Sequence, residues 1–226
     1  MQQIIIGNKG QIGSALQAIL QCDGVDREEL AEFKKYDVMH VAIPFSNEFI
    51  DVVEGYKALY APDLVVIHST VPVGISRQLD AVHSPCRGVH PNLEEGIRTF
   101  IKFFGGERSE EASRLFADLG IPVQITNKAE NTEAMKLWDT TIYGANIILE
   151  KEIAKYCVDH DLDLDIVYTQ ACSSYNDGYE ALGHPEYKKY VLRHTDGKIG
   201  GHCVIPNLAL LNTDFTKWLE DYNSKR

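Results

Sequence analysis

The fold is decided by one stretch close to the start of the chain, Gln3-Ile4-Ile5-Ile6-Gly7-Asn8-Lys9-Gly10-Gln11-Ile12-Gly13. Its three isoleucines form a β-branched run that is typical of a buried strand. Three glycines at GxxGxxG spacing follow, and Leu and Ile at helical spacing continue from Ser14 to Leu20. The stretch therefore predicts a strand, a glycine-rich turn and a helix whose free N–H groups would hold an anion.

The glycine turn is the first candidate binding site. Between a strand and a helix, Gly10 would let the backbone approach a pyrophosphate, and Gly13 would let the helix pack closely on the strand. Asn8 stands where the commoner fingerprint has its first glycine, and Asn tolerates the left-handed conformation of a tight turn. Lys9 would add a positive charge. A turn that merely closes the corner is the alternative. The predicted dinucleotide site comprises Gly7, Asn8, Lys9, Gly10, Gln11, Ile12 and Gly13.

The rest of the first half alternates apolar strands with amphipathic helices. Strands are predicted at 37–44, 63–68, 86–90 and 122–126, and helices at 48–60 and near 109–119. This order favours an α/β fold with a compact Rossmann-type, doubly wound parallel sheet. We assign the dinucleotide-binding domain to residues 1–127.

The second half is predicted to be mostly helical. Apolar residues at helical spacing predict one long helix from 129 to 160. Further helices near 162–175 and 185–194, a glycine-rich loop at 197–201 and a last helical stretch after Cys203 complete a connecting, catalytic and dimerisation domain, 128–226. The long helix carries more apolar surface than so small a domain can cover, which predicts a homodimer.

The cofactor preference depends on Asp26. This residue ends a short stretch at the position of the second strand, where an acidic side chain would bind the ribose hydroxyls of NAD. The neighbouring Arg27 could accept the 2′-phosphate of NADP, so NADP is not excluded, and an Asp in this position is also a common helix cap. The ends of the next two strands are expected to complete the cofactor site with Ile43, Pro44, Ser69 and Thr70.

Composition and charge restrict the function. Of 226 residues, 44% are hydrophobic and 24% are charged, as in globular proteins, and the net charge of -11 disfavours nucleic acid as a partner. No apolar run approaches the ~20 residues of a membrane span, and 1–6 lacks the basic flank of a signal peptide. We therefore expect a cytoplasmic protein, without membrane contact, that binds a small molecule. The five cysteines form no CxxC pair, so reduced thiols and no metal site are expected.

One cysteine is surrounded by three glycines and a histidine, in Gly197-Lys198-Ile199-Gly200-Gly201-His202-Cys203-Val204-Ile205-Pro206-Asn207. Glycines allow the close approach of a ligand, and an imidazolium or a helix N-terminus beside Cys203 would stabilise the nucleophilic thiolate. Cys203 is therefore the candidate nucleophile. The other four cysteines are interpreted as small buried hydrophobic residues.

Four segments resemble motifs of the UDP-glucose/GDP-mannose dehydrogenase family, in the same order along the chain. Residues 68–74 resemble S-T-V-P-x-G, and residues 90–96 resemble S-P-E-x-x-R-E-G with one residue fewer. Glu133-Ala-Met-Lys136 is similar to E-x-x-K-x-x-x-N, and Gly200-Gly-His-Cys203 is similar to G-G-x-C-x-P-x-D. The resemblance covers most of the chain. It implies a short, divergent member that is expected to lack the C-terminal nucleotide-sugar-binding domain of the family.

The resemblance also implies a mechanism, the two-step oxidation of a primary alcohol to an acid with two NAD reduced per turnover. Cys203 would attack the aldehyde, hydride would leave the thiohemiacetal for nicotinamide, and water would hydrolyse the thioester. Lys136 would stabilise the oxyanion, while Thr70 and Glu95 would position water or act as base. The implied substrate is an alcohol or aldehyde such as a sugar or a sugar nucleotide.

Three positions depart from the family pattern and keep other functions open. Thr140 stands where the family has Asn, Asn92 where it has Glu, and Asn207 where it has Asp. Thr140 shares a helix face with Glu133 and Lys136, so Thr140 and Asn207 stay among the candidate catalytic residues. Loss of carboxylates removes candidate bases. The alternatives are a one-step β-hydroxyacid-type dehydrogenase that uses Lys136, and a non-catalytic NAD-binding partner or sensor protein.

Overall fold

A computed structural model describes residues 1–27, 33–88, 91–201 and 203–225. The chain divides into two compact units, Met1–Leu137 and Trp138–Arg226. Within the described ranges, no helix is long and apolar enough to cross a membrane. In the same ranges, no group of three or more His, Cys, Asp or Glu side chains is placed to hold a metal ion.

A seven-stranded sheet forms the centre of the described part of the first unit. Its strands are β1 (Gln3–Ile6), β2 (Asp23–Val25), β3 (Val38–Val41), β4 (Leu64–Ile67), β5 (Val82–His83), β6 (Lys102–Gly105) and β7 (Val123–Thr126). In space they follow the order β2-β1-β3-β4-β5-β6-β7. Neighbouring strands are parallel except β5 and β6, which pair antiparallel through His83 and Gly105. The largely parallel sheet is confirmed.

Helices cover both faces of this sheet. They are α1 (Gln11–Leu20), α2 (Phe49–Tyr60), α3 (Ile75–Gln78), α4 (Leu93–Thr99) and α5 (Ser109–Ala117). One face buries Phe49 of α2 and Leu79 beside α3, whereas the other buries Leu16 of α1, Ile97 of α4 and Phe116 of α5. Strands covered on both faces read as continuous apolar runs, as β1 and β4 do. The doubly wound α/β fold is therefore confirmed.

The strand order creates a switch point between β1 and β3. From β1 the chain passes through α1 to β2 on one side, while β3 pairs with β1 on the other. At such a point the loops after the two central strands diverge, and the crevice outside the carboxyl ends of the strands is where open α/β sheets bind ligands. The glycine turn after β1 and the residues that follow β2, β3 and β4 share this edge.

The second unit is helical. Its elements are most of α6 (Ala129–Asp159), a π-helical stretch (Asp165–Gln170), α7 (Ala171–Ala181), α8 (Val204–Leu211) and α9 (Asp214–Ser224). The long helix predicted at 129–160 is confirmed as α6, and the helix predicted near 162–175 begins at Asp165 and continues to Ala181. A small core contains Ile148, Val204 and Leu219, and most residues from 158 to 198 are exposed.

The strand predicted at 86–90 is wrong. The strand lies earlier, at Val82–His83, and Cys86 belongs to the segment that follows it. Pro85 has no N–H for a strand ladder, and Gly88 takes a φ of 146°, so the described part of the predicted strand cannot continue the sheet. Its last two residues, Val89 and His90, lie outside the described residues.

The helix predicted at 185–194 is also wrong, since only a 3₁₀ turn forms at its start. Side chains of the preceding helices bind the backbone that follows this turn. Asn176 donates to the carbonyl of Lys189 at 2.9 Å and accepts from its N–H at 2.8 Å. The Tyr168 hydroxyl donates to the carbonyl of Tyr190 and accepts from the N–H of Leu192. Backbone groups that are satisfied in this way do not form helical hydrogen bonds.

Candidate functional site

The glycine turn is fixed by steric contact. A Cβ atom at Gly13 would lie 2.0 Å from the carbonyl oxygen of Gly7, and one at Gly7 would lie 2.7 Å from the carbonyl oxygen of Ala42. Gly7 also has a φ of 87°, in the left-handed region. Gly10 precedes α1 in an extended conformation and is exposed. The turn therefore brings α1 against β1 and leaves the first N–H groups of α1 beside Gly10.

The conformation expected for Asn8 is wrong, because Gly7 takes the left-handed position of the turn and Asn8 does not. The Asn8 side chain lies over Gly24 of β2, where an added Cβ would come within 2.5 Å of the amide nitrogen. That amide donates to the side-chain oxygen of Gln17 at 3.1 Å, and Gln17 donates to the carbonyl of Cys22. Asn8 thus locks β2 to α1.

The Asp26 carboxylate lies against the glycine turn. It follows β2, is half-buried and accepts from the N–H of Lys9 at 3.2 Å and of Arg27 at 2.8 Å. Ile43 approaches from the end of β3, with its Cγ2 2.8 Å from where a Cβ of Gly7 would be. The predicted residues Gly7, Lys9, Asp26 and Ile43 therefore meet at one corner of the sheet, and Pro44 follows Ile43 as an exposed residue.

The loop after β4 reaches the same edge of the sheet. Ser69 is buried, its hydroxyl donates to the carbonyl of Val41 at 3.5 Å, and its own carbonyl accepts from His83 Nε2 at 3.1 Å. Thr70 follows as a half-buried residue. Glu95 is exposed on α4.

A buried carboxylate anchors the start of α6. Glu133 is fully buried, and its two oxygens accept from the backbone N–H of Gly74 at 2.6 Å and of Ser76 at 2.8 Å. Hydrogen bonds to an ionised group in a dry environment are strong, and both oxygens are satisfied here. The sequence pointed to Glu133 only as part of a motif with Lys136. That its carboxylate binds the backbone at the start of α3 could not be predicted from the sequence.

A buried imidazole connects α6 to the loop after β4. His83 Nδ1 lies 2.8 Å from the hydroxyl of Thr132, and Nε2 donates to the carbonyl of Ser69. Burial is the main cause that lowers the pKa of His83 to about 3, and the charge of Lys136 contributes to the lowering. Lys136 is half-buried one turn after Thr132. Within the first unit, the predicted residues Ser69 and Lys136 therefore share the neighbourhood of His83.

A chain of buried polar groups, which the sequence did not single out, runs along the face of the sheet that Phe116 of α5 covers. His40 Nδ1 lies 3.0 Å from His68 Nε2, and His68 Nδ1 donates to the carbonyl of Ser84 at 2.7 Å. The Lys102 Nζ lies 3.1 Å from the same carbonyl. Burial lowers the pKa of His40 to about 3 and lowers the pKa of His68 and of Lys102. These imidazoles are therefore neutral at pH 7.

The loop that carries Cys203 is held on both sides of the thiol. Before it, Ile199 exchanges two hydrogen bonds with the Asn223 side chain, at 2.7 and 3.3 Å. After it, Val204 is buried against Gly144 of α6, where an added Cβ would lie 2.6 Å from Val204 Cγ1. Cys203 itself is exposed immediately before α8. His202 lies outside the described residues.

Two candidate residues of the second unit are joined directly. The Asn207 side chain is buried, and its amide donates to the Thr140 hydroxyl at 3.2 Å. Because Gly144 and Thr140 are one turn apart on α6, the Cys203 loop and α8 pack on the part of α6 that follows Lys136 in the sequence. A cleft of about 640 Å³ in this unit lies elsewhere, between Lys151–Val158 of α6, the segment 194–197 and Tyr222.

The comparisons with known proteins establish the fold. No family model matches the sequence, and no curated protein matches it. The chain is similar to UDP-D-ManNAc dehydrogenase from Pyrococcus horikoshii, with a TM-score of 0.76 at 18% identity over 100% of this chain and 68% of that chain. It is similar to 3-hydroxyisobutyrate dehydrogenase from Mycobacterium tuberculosis, with a TM-score of 0.69 at 16% identity over 100% and 93% of the two chains. The chain is also similar to UDP-glucose dehydrogenase from Pyrobaculum islandicum, with a TM-score of 0.69 at 14% identity over 100% of this chain and 68% of that chain.

Replacement of Glu133 by Gln tests the anchor of α6. The amide keeps one acceptor but turns an N–H₂ group toward a backbone N–H, so we expect the free energy of unfolding to fall by about 2–3 kcal/mol. Glu130 is the matched control on the same helix, since it forms only a surface ion pair with Arg77. Glu130→Gln should cost less than about 1 kcal/mol. Equal losses in urea unfolding of the two variants would contradict the anchor.

The buried imidazoles predict how stability depends on pH. Because the folded-state pKa of His40 and of His83 is about 3, the unfolded chain binds protons between pH 6.5 and 3 that the folded chain does not. The free energy of unfolding should therefore fall as the pH is lowered below 6.5, by about 1.4 kcal/mol per pH unit for each histidine. Urea unfolding between pH 7.5 and 5.5 measures this slope. His83→Gln should make it shallower, whereas the exposed His184→Gln should leave it unchanged.

Proposed function

We propose that this protein is an NAD-dependent dehydrogenase that oxidises an alcohol or aldehyde. The observation that carries the proposal is the glycine turn, in which Gly7 and Gly13 are sterically obligatory while Gly10 is exposed at the start of α1. A turn that only closed a corner would not need an open position beside the helix N-terminus, whereas a pyrophosphate does. The likeness in fold to dehydrogenases of two kinds supports the same conclusion.

The residues around the turn fit a dinucleotide. The turn from Gly7 to Gly13 would hold the pyrophosphate, Asp26 would accept from the ribose hydroxyls, and Ile43, Pro44, Ser69 and Thr70 would line the remainder. A carboxylate beside the turn supports NAD, and Arg27 next to it leaves NADP as the alternative. When bound, the nicotinamide accepts a hydride from the substrate carbon.

The chain's own residues supply the remaining chemistry. The Cys203 thiolate would add to the carbon of an aldehyde, forming a carbon–sulfur bond while the carbonyl oxygen takes the negative charge. Lys136 would stabilise that oxyanion through its ammonium group. Thr70 and Glu95 would position or deprotonate the water that later displaces sulfur. The exposure of Cys203 between two buried anchors supports its role as the nucleophile.

A second function is favoured by the hydrogen bond between Asn207 and Thr140. This pair holds no carboxylate, so it provides no base for hydrolysis of a thioester. A one-step dehydrogenase of the β-hydroxyacid type would need only Lys136 as acid and base, and Cys203 would then pack without reacting. The substrate of the first reaction would be a sugar or a sugar nucleotide, and that of the second a short hydroxy acid. An NAD-binding partner or sensor without catalysis is the third possibility.

We also propose that residues 1–127 form the dinucleotide-binding domain and that 128–226 form the catalytic and dimerisation domain. On α6, the exposed side chains Ile142, Leu149 and Tyr156 recur every seven residues, and Trp138 lies one turn earlier. Such a stripe supports pairing with a second copy of the chain. All five cysteines are free thiols, which agrees with the reducing cytoplasm that we propose as the compartment.

Cofactor binding is tested by a charge placed in the turn. A Cβ at Gly10 would lie 3.3 Å from the carbonyl oxygen of Gly7, a contact that a small shift of this exposed turn relieves, so Gly10→Glu should fold and set a carboxylate against the pyrophosphate. We expect about 100-fold weaker binding of NAD by calorimetry, since like charges in contact cost several kcal/mol. Gly55→Glu on α2 adds the same charge in open space and should bind as wild type. Unchanged affinity of Gly10→Glu would refute the site.

The reaction is tested with UDP-sugars and short β-hydroxy acids as substrates. Two NADH per product, with loss of the second one in Cys203→Ala and Cys203→Ser, would support the thiol mechanism. One NADH per product, with Cys203 variants as fast as wild type and Lys136→Met inactive, would instead support the one-step reaction. Saturable NAD binding without turnover of either class would point to the sensor.

Dimerisation is tested on α6 itself. Leu149→Glu should convert a dimer to a monomer in light scattering at micromolar concentration, because it places a charge in the middle of the apolar stripe. Val158→Glu is the control, since Val158 is 81% exposed on the opposite side of the same helix. A wild-type monomer would exclude the dimer.

A further inference from the structure

A lysine and a cysteine are buried side by side on the face of the sheet that Phe116 of α5 covers. Lys102 begins β6, and its Nζ lies 3.6 Å from the Sγ of Cys86 in the segment after β5. Both residues are at least 95% buried. The other polar neighbours of Nζ are the carbonyl of Ser84 at 3.1 Å and His68 Nδ1 at 3.4 Å. Among the described residues, no ion pair includes Lys102.

Burial increases the neutral fraction of the Lys102 amine. It lowers the pKa of Lys102, although the neighbouring Cys86 raises it, and the imidazoles of His68 and His40 that continue the chain of polar groups are neutral. The rings of Phe104 and Phe116, whose centroids lie 5.6 and 5.0 Å from Nζ, contribute to this burial. A neutral amine carries a free electron pair, so Lys102 can act as a nucleophile at a short distance from sulfur.

A small cavity reaches this pair. It is lined by Cys86 and Lys102 together with residues of α4 and its flanks, among them Gly96, Ile97 and Phe100. Its empty space is about 190 Å³ and is partly open to solvent. Only about one molecule of the size of water fits inside. Through this opening a small oxidant such as hydrogen peroxide can approach Cys86, whereas larger reagents reach Cys86 only after the protein is unfolded.

We propose that Cys86 and Lys102 form a covalent sulfur–nitrogen bond when the protein meets hydrogen peroxide. In the first step the thiol sulfur attacks peroxide, the O–O bond breaks, and sulfenic acid and one water form. In the second step Nζ attacks the sulfenic sulfur, the S–O bond breaks, and the hydroxyl leaves with an amine proton as a second water. The product is a sulfenamide. Sulfur is oxidised by two electrons and peroxide is reduced by two.

The bond would close the segment 86–102 into a covalent loop. This segment contains α4 and Glu95, and Gly88 packs closely on α4, since a Cβ at Gly96 would lie 2.6 Å from the Cα of Gly88. Once the protein is unfolded, two added thiols reverse the reaction, because the first breaks the S–N bond and frees the amine while the second displaces it from Cys86 as a disulfide. The switch does not depend on the proposed dehydrogenase reaction.

Mass spectrometry of the full-length protein tests this proposal. After one equivalent of hydrogen peroxide, the intact chain should lose two hydrogen atoms, and trypsin should fail to cleave after Lys102. The peptides of Cys86 and Lys102 should appear as one cross-linked species that dithiothreitol separates. A Cys86 peptide that gains oxygen atoms while Lys102 is still cleaved would overturn the proposal. So would a cross-linked species that retains an oxygen atom between sulfur and nitrogen.

Variants separate the pair from other thiols. Cys157 is a second buried cysteine, on α6, and serves as the control. Because it is not part of the pair, Cys157→Ala should form the cross-link as wild type does. Cys86→Ala should lose it. In Lys102→Met the sulfenic acid should persist, and dimedone should trap it on Cys86 when the oxidised protein is unfolded in the presence of this reagent. Wild type treated in the same way should give little adduct. Equal dimedone labelling of wild type and of Lys102→Met would contradict the attack of the amine, and the wild-type peptide map decides the case if this variant does not fold.

Discussion

The contact between the Cα of Gly13 and the backbone of Gly7 leaves no space for a side chain. Because of this contact, α1 starts directly at the carboxyl end of β1 and its first N–H groups face the turn. On the neighbouring strand β2, the Asn8 amide occupies the space that a side chain at Gly24 would need, so this position also requires glycine. The position of Asp26 against the turn follows from this packing.

A second constraint is the burial of charge at the start of α6. An ionised carboxylate in a dry interior is destabilising unless its oxygens are bonded, and the two N–H groups at Gly74 and Ser76 meet that requirement for Glu133. Since these bonds and the contact of Thr132 with His83 fix the register of α6, Lys136 is presented one turn later beside His83. The helix α6, which carries the candidate catalytic residue Lys136, is thus positioned by the hydrogen bonds of Thr132 and Glu133.

The second unit has a different physical character. Its core is small, and the segment before Cys203 is held by side-chain bonds to backbone, at Asn176, Tyr168 and Asn223, rather than by regular structure. Many large apolar side chains on α6 and around the π-helical stretch are exposed. Contact of such side chains with water is unfavourable in free energy. A thiol that is exposed between buried anchors is accessible while its backbone is held in place.

The sequence by itself determined strands β1, β3, β4 and β7, the glycine turn, the doubly wound sheet and the long helix, because each depends on local periodicity and on residues close in the chain. The predicted helix at 185–194 is wrong because the side chains of Asn176 and Tyr168 bind backbone groups that a helix would need. The predicted strand at 86–90 is wrong because Pro85 and Gly88 cannot continue the sheet. Only the tertiary structure decided that Glu133 is an anchor, that Asn207 binds Thr140 and that Lys102 lies beside Cys86. These pairs are far apart in the chain, and packing rather than spacing brings them into contact.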